Sequence, residues 1–88
     1  MHPVALITGG TRGIGLGIAR CLAQEGYALA LNGMRPPEAV TEVLQELRQL
    51  GARVEYFQAD ISEPEQRQQL VQVVRERFGR LNVLVNNA

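Results

Sequence analysis

The sequence predicts an α/β fold, a doubly wound parallel sheet with elements in the order β-α-β-α-β-α-β. Three observations carry the prediction. Short apolar runs alternate with longer stretches of helical period. Gly, Pro or Asn marks each change of period. The spacing leaves a helix between successive strands, as right-handed parallel crossovers need.

The elements follow in order. Pro3 to Thr8 is a short apolar run that stops at Gly9-Gly10, as a strand buried on both faces does. From Gly13 the period changes: Ile14, Ile18 and Leu22 recur at helical spacing with Cys21 beside them, and Gly26 stops the helix. Tyr27 to Leu31 is a second apolar run, which Asn32-Gly33 is expected to break. Pro36-Pro37 suits a helix entry, where a missing N–H matters little. Val40, Val43, Leu44, Leu47 and Leu50 then form one stripe, and Gly51 ends it.

Arg53 to Ala59 reads as the third strand. Ser62-Glu63-Pro64-Glu65 has the spacing of a capping box, with Ser62 as cap and Glu65 reaching back. The helix after it turns Leu70, Val71, Val74 and Phe78 inward and ends at Gly79. Leu81 to Val85 is the fourth strand, followed by Asn86-Asn87-Ala88. The expected strand order is 3-2-1-4, with two helices on one face and the third on the other. Ligands of such sheets bind beyond the carboxyl ends of the strands, where the order reverses. That crevice lies between strands 1 and 4. Gly9 to Gly15, Asn32 to Arg35, Asp60-Ile61 and Asn86-Asn87 all fall on this edge.

Composition narrows the function. The 88 residues allow one small domain, covering the whole chain, with no linker or repeat. A domain of this size buries only about 60% of its unfolded surface, so stability is expected to be marginal. Nine acidic and nine basic residues cancel, leaving no net field for nucleic acid or an anionic membrane. All nine basic residues are Arg, which excludes a Walker-type phosphate lysine and a Schiff-base lysine. No apolar run approaches the ~20 residues of a membrane span. One Cys and one His build neither a disulfide nor a metal site. Cys21 is expected in the core. A cytoplasmic protein is the default.

Thr8-Gly9-Gly10-Thr11-Arg12-Gly13-Ile14-Gly15 joins a predicted strand to a predicted helix, the context that gives a Gly-rich loop meaning. Gly9 permits a tight turn. Gly13 has no side chain to obstruct a pyrophosphate, and Gly15 lets the helix approach the sheet. The helix start offers N–H groups and partial positive charge to phosphates. The alternative is a merely tight strand–helix turn.

Thr8-Gly9-x-x-x-Gly13-x-Gly15, then Asp60-Ile61, then Asn86-Asn87-Ala88 resembles the short-chain dehydrogenase/reductase family across the whole chain. Within it, the likeness is to the β-ketoacyl-acyl-carrier-protein-reductase branch. The resemblance implies a Rossmann-type nucleotide-binding half of an oxidoreductase that moves hydride between nicotinamide and a carbonyl or alcohol. Gly9, Thr11, Arg12, Gly13, Ile14 and Gly15 would line the phosphates and ribose. Asp60 would accept from the adenine amino group, with the Ile61 backbone beside it. Asn87 would lie near the nicotinamide ribose, while Asn86 would brace the strands. Asp60 also suits a turn cap before Ser62, and the Asn pair an ordinary strand end.

The end of strand 2 favours NADP(H) over NAD(H). An acidic residue there normally binds the NAD ribose. Here Asn32, Gly33, Met34 and Arg35 carry no carboxylate. Arg12 and Arg35 offer two guanidinium groups for a 2′-phosphate. Alternatively, Arg35 is only a solvated surface residue.

The family's catalytic Ser and Tyr-x-x-x-Lys do not occur. Leu31 lies four residues after Tyr27, and Asp60 four after Tyr56. The chain alone is therefore expected to be inactive. The family pattern continues Asn-Asn-Ala with Gly, so a truncated or incomplete sequence is the expectation. A homo-oligomer is expected only of a full-length form. A non-catalytic nucleotide-binding module and a non-functional fragment are the competing expectations.

Overall fold

The computed structural model describes residues 2–87; Met1, and Ala88 of the Asn86-Asn87-Ala88 run, lie outside the described residues. The strands are β1 (Val4–Thr8), β2 (Ala28–Gly33), β3 (Val54–Gln58) and β4 (Val83–Asn86). The helices are α1 (Gly13–Gln24), α2 (Thr41–Gln49) and α3 (Pro64–Phe78). A 3-10 turn, Pro37–Val40, leads into α2. All pairings are parallel, and the order is β3-β2-β1-β4, as the sequence predicts.

The central strands are apolar on both faces because both faces are covered. Ala5, Ile7, Leu29 and Leu31 pack under α1 and α2 with Ala19, Ala23 and Leu47. Val4, Leu6, Ala28 and Ala30 pack under α3 with Leu70 and Val74. Burying each large aliphatic side chain contributes about 1.5–3 kcal/mol. Among the described residues, no helix is long and apolar enough to cross a membrane.

Five local expectations need correction. The buried stripe of α1 is Gly15, Ala19 and Ala23, while Ile14 is 77% exposed. Gly15 brings the helix so near the sheet that only small residues fit beneath it. The larger Leu16, Ile18 and Leu22 flank the seam, and Cys21 lies exposed rather than in the core. Leu50 is 42% exposed because α2 ends before it, at Gln49.

Asn32-Gly33 does not break β2. Both stay in the ladder, opposite Phe57 and Gln58. Asn32 is 1% exposed, and its Nδ2 donates to the carbonyls of Phe57 and Ala59. Satisfied on both bonds, the amide is tolerated inside the sheet.

The capping box does not form. Glu63 stands at the N-cap without a side-chain cap bond, and Pro64 opens α3. The Ser62 hydroxyl and N–H both donate to Asp60 Oδ1, at 2.6 and 3.0 Å. A carboxylate is the stronger acceptor, and Pro64 removes one N–H that a cap would serve. Gln66, rather than Glu65, reaches back: its Oε1 accepts from the Asp60 N–H at 2.6 Å. At the far end, Gly79 adopts φ 79° and its N–H donates to Arg75 O, closing α3.

The end of the sheet away from the Gly-rich loop is tied by charge. The Arg53 guanidinium lies 4.2 Å from the Phe78 ring centroid. Arg53 and Arg77 both donate to the Glu55 carboxylate. Burial pushes the Glu55 carboxyl up, but these two bonds outweigh it and hold it below its ordinary value. Its stabilising contribution is therefore full above the unfolded Glu value of about 4.3 and is lost as pH falls through the lower folded value. Glu55→Gln should lower stability at neutral pH by about 1 kcal/mol. Denaturant titrations in the acid range should show a shallower pH dependence for the variant than for the wild type.

Candidate functional site

The β1–α1 loop is built around two left-handed glycines, Gly9 at φ 63° and Gly13 at φ 59°. Side-chain residues rarely adopt this backbone. A Cβ at Gly13 would meet nothing within 4 Å, so this position opens outward. A Cβ at Gly15 would lie 2.1 Å from Gly9 O and 2.7 Å from Asn87 Nδ2. No side chain fits there.

Helix α1 therefore starts hard against the end of β1. Its first hydrogen bond runs from Leu16 N–H to Arg12 O. The N–H groups of Gly13, Ile14 and Gly15 precede that bond and have no carbonyl one turn back. No side chain caps this end, and no acidic residue occupies the first turn. Positive dipole and open donors face the crevice. Ile14 and Arg12 are exposed beside it.

Neighbouring strands hold the loop. Gly10 N–H donates to Asn32 O at 3.2 Å. Asn87 N–H donates to Thr8 Oγ1 at 3.0 Å, and Asn87 Nδ2 to Gly9 O at 3.2 Å. Thr8 Oγ1 in turn donates to Val85 O at 3.3 Å. Asn87 thus braces the junction of β1 and β4, while Asn86 lies opposite Thr8 in register.

At the end of β2 the chain bends through Met34 and Arg35. Arg35 is half-buried, and its guanidinium donates to Thr11 O at 3.3 Å and Thr11 Oγ1 at 3.0 Å. It is docked on the Gly-rich loop rather than solvated. Thr11 is 5% exposed, so its hydroxyl serves Arg35 more directly than the crevice.

Past β3, Asp60 takes the turn-capping role through Ser62. These hydrogen bonds, the hydroxyl's first, hold its carboxyl below the ordinary value. A cavity of 300 Å³ opens beside it, lined by Met34, Gln58, Ala59, Asp60 and Gln66. Ile61 packs toward α3, and its carbonyl accepts from Arg67 at 2.9 Å.

The structure brings Gly9, Thr11, Arg12, Gly13, Ile14, Gly15, Arg35 and Asn87 to one end of the sheet. Asp60 and Ile61 stand farther along the same edge, past β3. Asn32 lies there too, but its buried side chain is committed to carbonyls. Three contributors are not evident from sequence: Thr8, Tyr56 and Gln66. Thr8 and Tyr56 act by hydrogen bonds between segments distant in the chain, which no local pattern encodes, and Gln66 acts on the Asp60 N–H six residues before it. His2 lies away from the site, its Nδ1 bonded to Gly26 O at 2.9 Å. Among the described residues, no cluster of His, Cys, Asp or Glu is arranged to hold a metal.

A larger concavity, 830 Å³, lies on the other face between α3 and β4. Leu6, Leu70, Val71 and Leu84 give it apolar walls. It reaches the carboxyl edge at Thr8, Ile61 and Asn86 and includes none of the residues from Gly9 to Gly15.

Comparison with known proteins agrees with the fold. The short chain dehydrogenase family profile matches residues 3–88. D-beta-hydroxybutyrate dehydrogenase of Rhizobium meliloti (strain 1021) is 40% identical over all of this chain, which spans 34% of that relative's length. A Sinorhizobium meliloti 1021 structure, described as a short-chain dehydrogenase/reductase, matches with TM-score 0.96 and 49% identity. The match covers 100% of this chain and 40% of that one. The 3-oxoacyl-[acyl-carrier protein] reductase of Brucella melitensis in complex with NAD matches at TM-score 0.91 and 46% identity, over 100% of this chain and 34% of that one. An actinorhodin polyketide ketoreductase with NADPH matches at TM-score 0.88 and 41% identity, over 99% and 33%.

The contact at Gly15 predicts a contrast within one helix. Gly15→Ala forces a methyl into Gly9 O and should destabilise by about 3 kcal/mol. A Cβ at Gly17 meets nothing within 4 Å, so Gly17→Ala should stabilise α1 by about 0.5–1 kcal/mol. Thermal unfolding of the two variants checks the difference in sign.

Proposed function

The chain belongs to the short chain dehydrogenase family, and from that footing we propose that it is the NADP(H)-binding part of an oxidoreductase acting on a carbonyl or alcohol. One observation carries the reading. The uncapped start of α1 faces a space that Gly13 leaves clear, with the Arg35 guanidinium fixed beside it. Gly9, Gly13, Ile14 and Gly15 would hold the pyrophosphate through backbone N–H groups. Asn87 would keep the loop in place from the β4 side. Asp60, with Ile61 beside it, would receive the adenine near the 300 Å³ cavity. Asn32 would serve from inside, by fixing the exit of β3. When bound, the dinucleotide supplies hydride exchange with a carbonyl or alcohol carbon.

The choice of NADP(H) rests on charge. Family likeness does not decide it, since one similar structure holds NAD and another NADPH. After β2 this chain offers Met34 and Arg35, and no carboxylate precedes Glu38. A guanidinium held against Thr11 is placed for a 2′-phosphate and gives a neutral ribose nothing comparable. Arg12, exposed at the start of α1, adds a second positive charge.

The chain contains no Lys, and its one Ser is bonded to Asp60. We therefore assign it nucleotide binding and positioning, without turnover by these 88 residues alone. The exposed free thiol of Cys21 fits a reducing compartment such as the cytoplasm.

Replacing Arg12 and Arg35 together by Ala should weaken NADPH binding by about ten- to hundredfold, the worth of charge-assisted hydrogen bonds. NADH affinity should fall far less. Fluorescence titration with the two reduced nucleotides measures this, and equal losses would exclude the assignment.

A further inference from the structure

The Arg35 side chain does not hold its place alone. It sits in a bend between the exposed Met34 and Pro36, where a long side chain is ordinarily free. Two side chains from β3 grip that bend. The Tyr56 hydroxyl donates to Arg35 O at 2.6 Å, and Gln58 Nε2 donates to Met34 O at 3.1 Å. Positions 56 and 58 are two apart on one strand, so both point to the same face.

The Tyr56 ring is itself anchored, packed against the core under α1 and α2. Gly33 leaves room for the arrangement: a Cβ there would lie 3.1 Å from Tyr56 Oη and 3.4 Å from Thr11 Oγ1. Core, Tyr56, Arg35 and Thr11 form one chain of contacts, running from the sheet to the Gly-rich loop.

We propose that Tyr56 is a positioning residue for nucleotide selectivity, fixing the Arg35 backbone so that its guanidinium stays docked at the loop. This rests on the reading that Arg35 selects NADP(H). Without the hydroxyl, Gln58 is the one β3 side chain still holding the bend, and the guanidinium spends less time against Thr11. A 2′-phosphate then loses a preorganised partner, whereas NADH has none to lose.

The test is a double-mutant cycle on the 88-residue chain, with Kd measured for NADPH and NADH in wild type, Tyr56→Phe, Arg35→Ala and the double variant. General loosening of the fold weakens both nucleotides and cancels in their ratio. Tyr56→Phe should reduce the NADPH-over-NADH preference by about three- to tenfold, the value of one hydrogen bond. In the Arg35→Ala background the same change should have no further effect on the ratio. A ratio unchanged by Tyr56→Phe, or reduced equally with Arg35 absent, overturns the proposal while the Arg35 reading stands. A ratio unchanged by Arg35→Ala removes that reading itself, and the proposal with it. A nitrogen-15 spectrum without nucleotide gives an independent readout. Displaced Arg35 and Thr11 amide signals in Tyr56→Phe support the tether, and unmoved signals overturn it.

Discussion

At the carbonyl of Gly9, the end of β1, the start of α1 and the end of β4 come within contact distance. A Cβ on Gly15 would be 2.1 Å from that oxygen, and the Asn87 amide donates to it at 3.2 Å. No residue but glycine allows α1 to start so close to the sheet. The approach dictates the rest of the helix, whose seam toward the sheet is Gly15, Ala19 and Ala23. It also aims the first-turn N–H groups along the carboxyl edge. A loop placed a methyl group farther out would lose both the seam and the direction of those donors.

The second constraint is reciprocal. Asn32 of β2 spends its amide on the carbonyls that leave β3, and the Tyr56 hydroxyl and Gln58 amide of β3 donate to the carbonyls that leave β2. Each strand exit is braced by side chains of its neighbour. The bends carrying Arg35 and Asp60 are thereby held to a frame. Such bracing suits a site that must present a guanidinium and a carboxylate at fixed positions to one ligand, since order supplied beforehand is not lost on binding.

The fold was legible because its signals are local and repeated. Apolar runs such as Val4 to Ile7, helical spacing such as Val40, Val43, Leu44 and Leu47, and glycine stops such as Gly26 and Gly79 each report their own element. The Gly-rich loop was legible for a similar reason, being contiguous. What misled were places where a long-range contact outweighs local preference. Ile14 fits the period of α1 better than Gly15 by hydropathy, yet the close approach selects the glycine. Ser62 and Glu65 satisfy the capping spacing, yet the Asp60 carboxylate takes the Ser62 hydroxyl. Asn32-Gly33 looks like a break until the carbonyls of Phe57 and Ala59 are seen to satisfy the buried amide. Tyr56 gave no sign of its role, because its partner lies 21 residues away.

The most direct test of the central claim is residue-resolved. A nitrogen-15 correlation spectrum of the chain, titrated with NADPH, locates the bound nucleotide without assuming any chemistry. The account predicts saturable shifts centred on the amides of Thr11, Gly13, Ile14 and Gly15, with further shifts at Arg35, Asp60 and Ile61. Shifts confined to the trough between α3 and β4, or a spectrum that NADPH leaves unchanged, would contradict it.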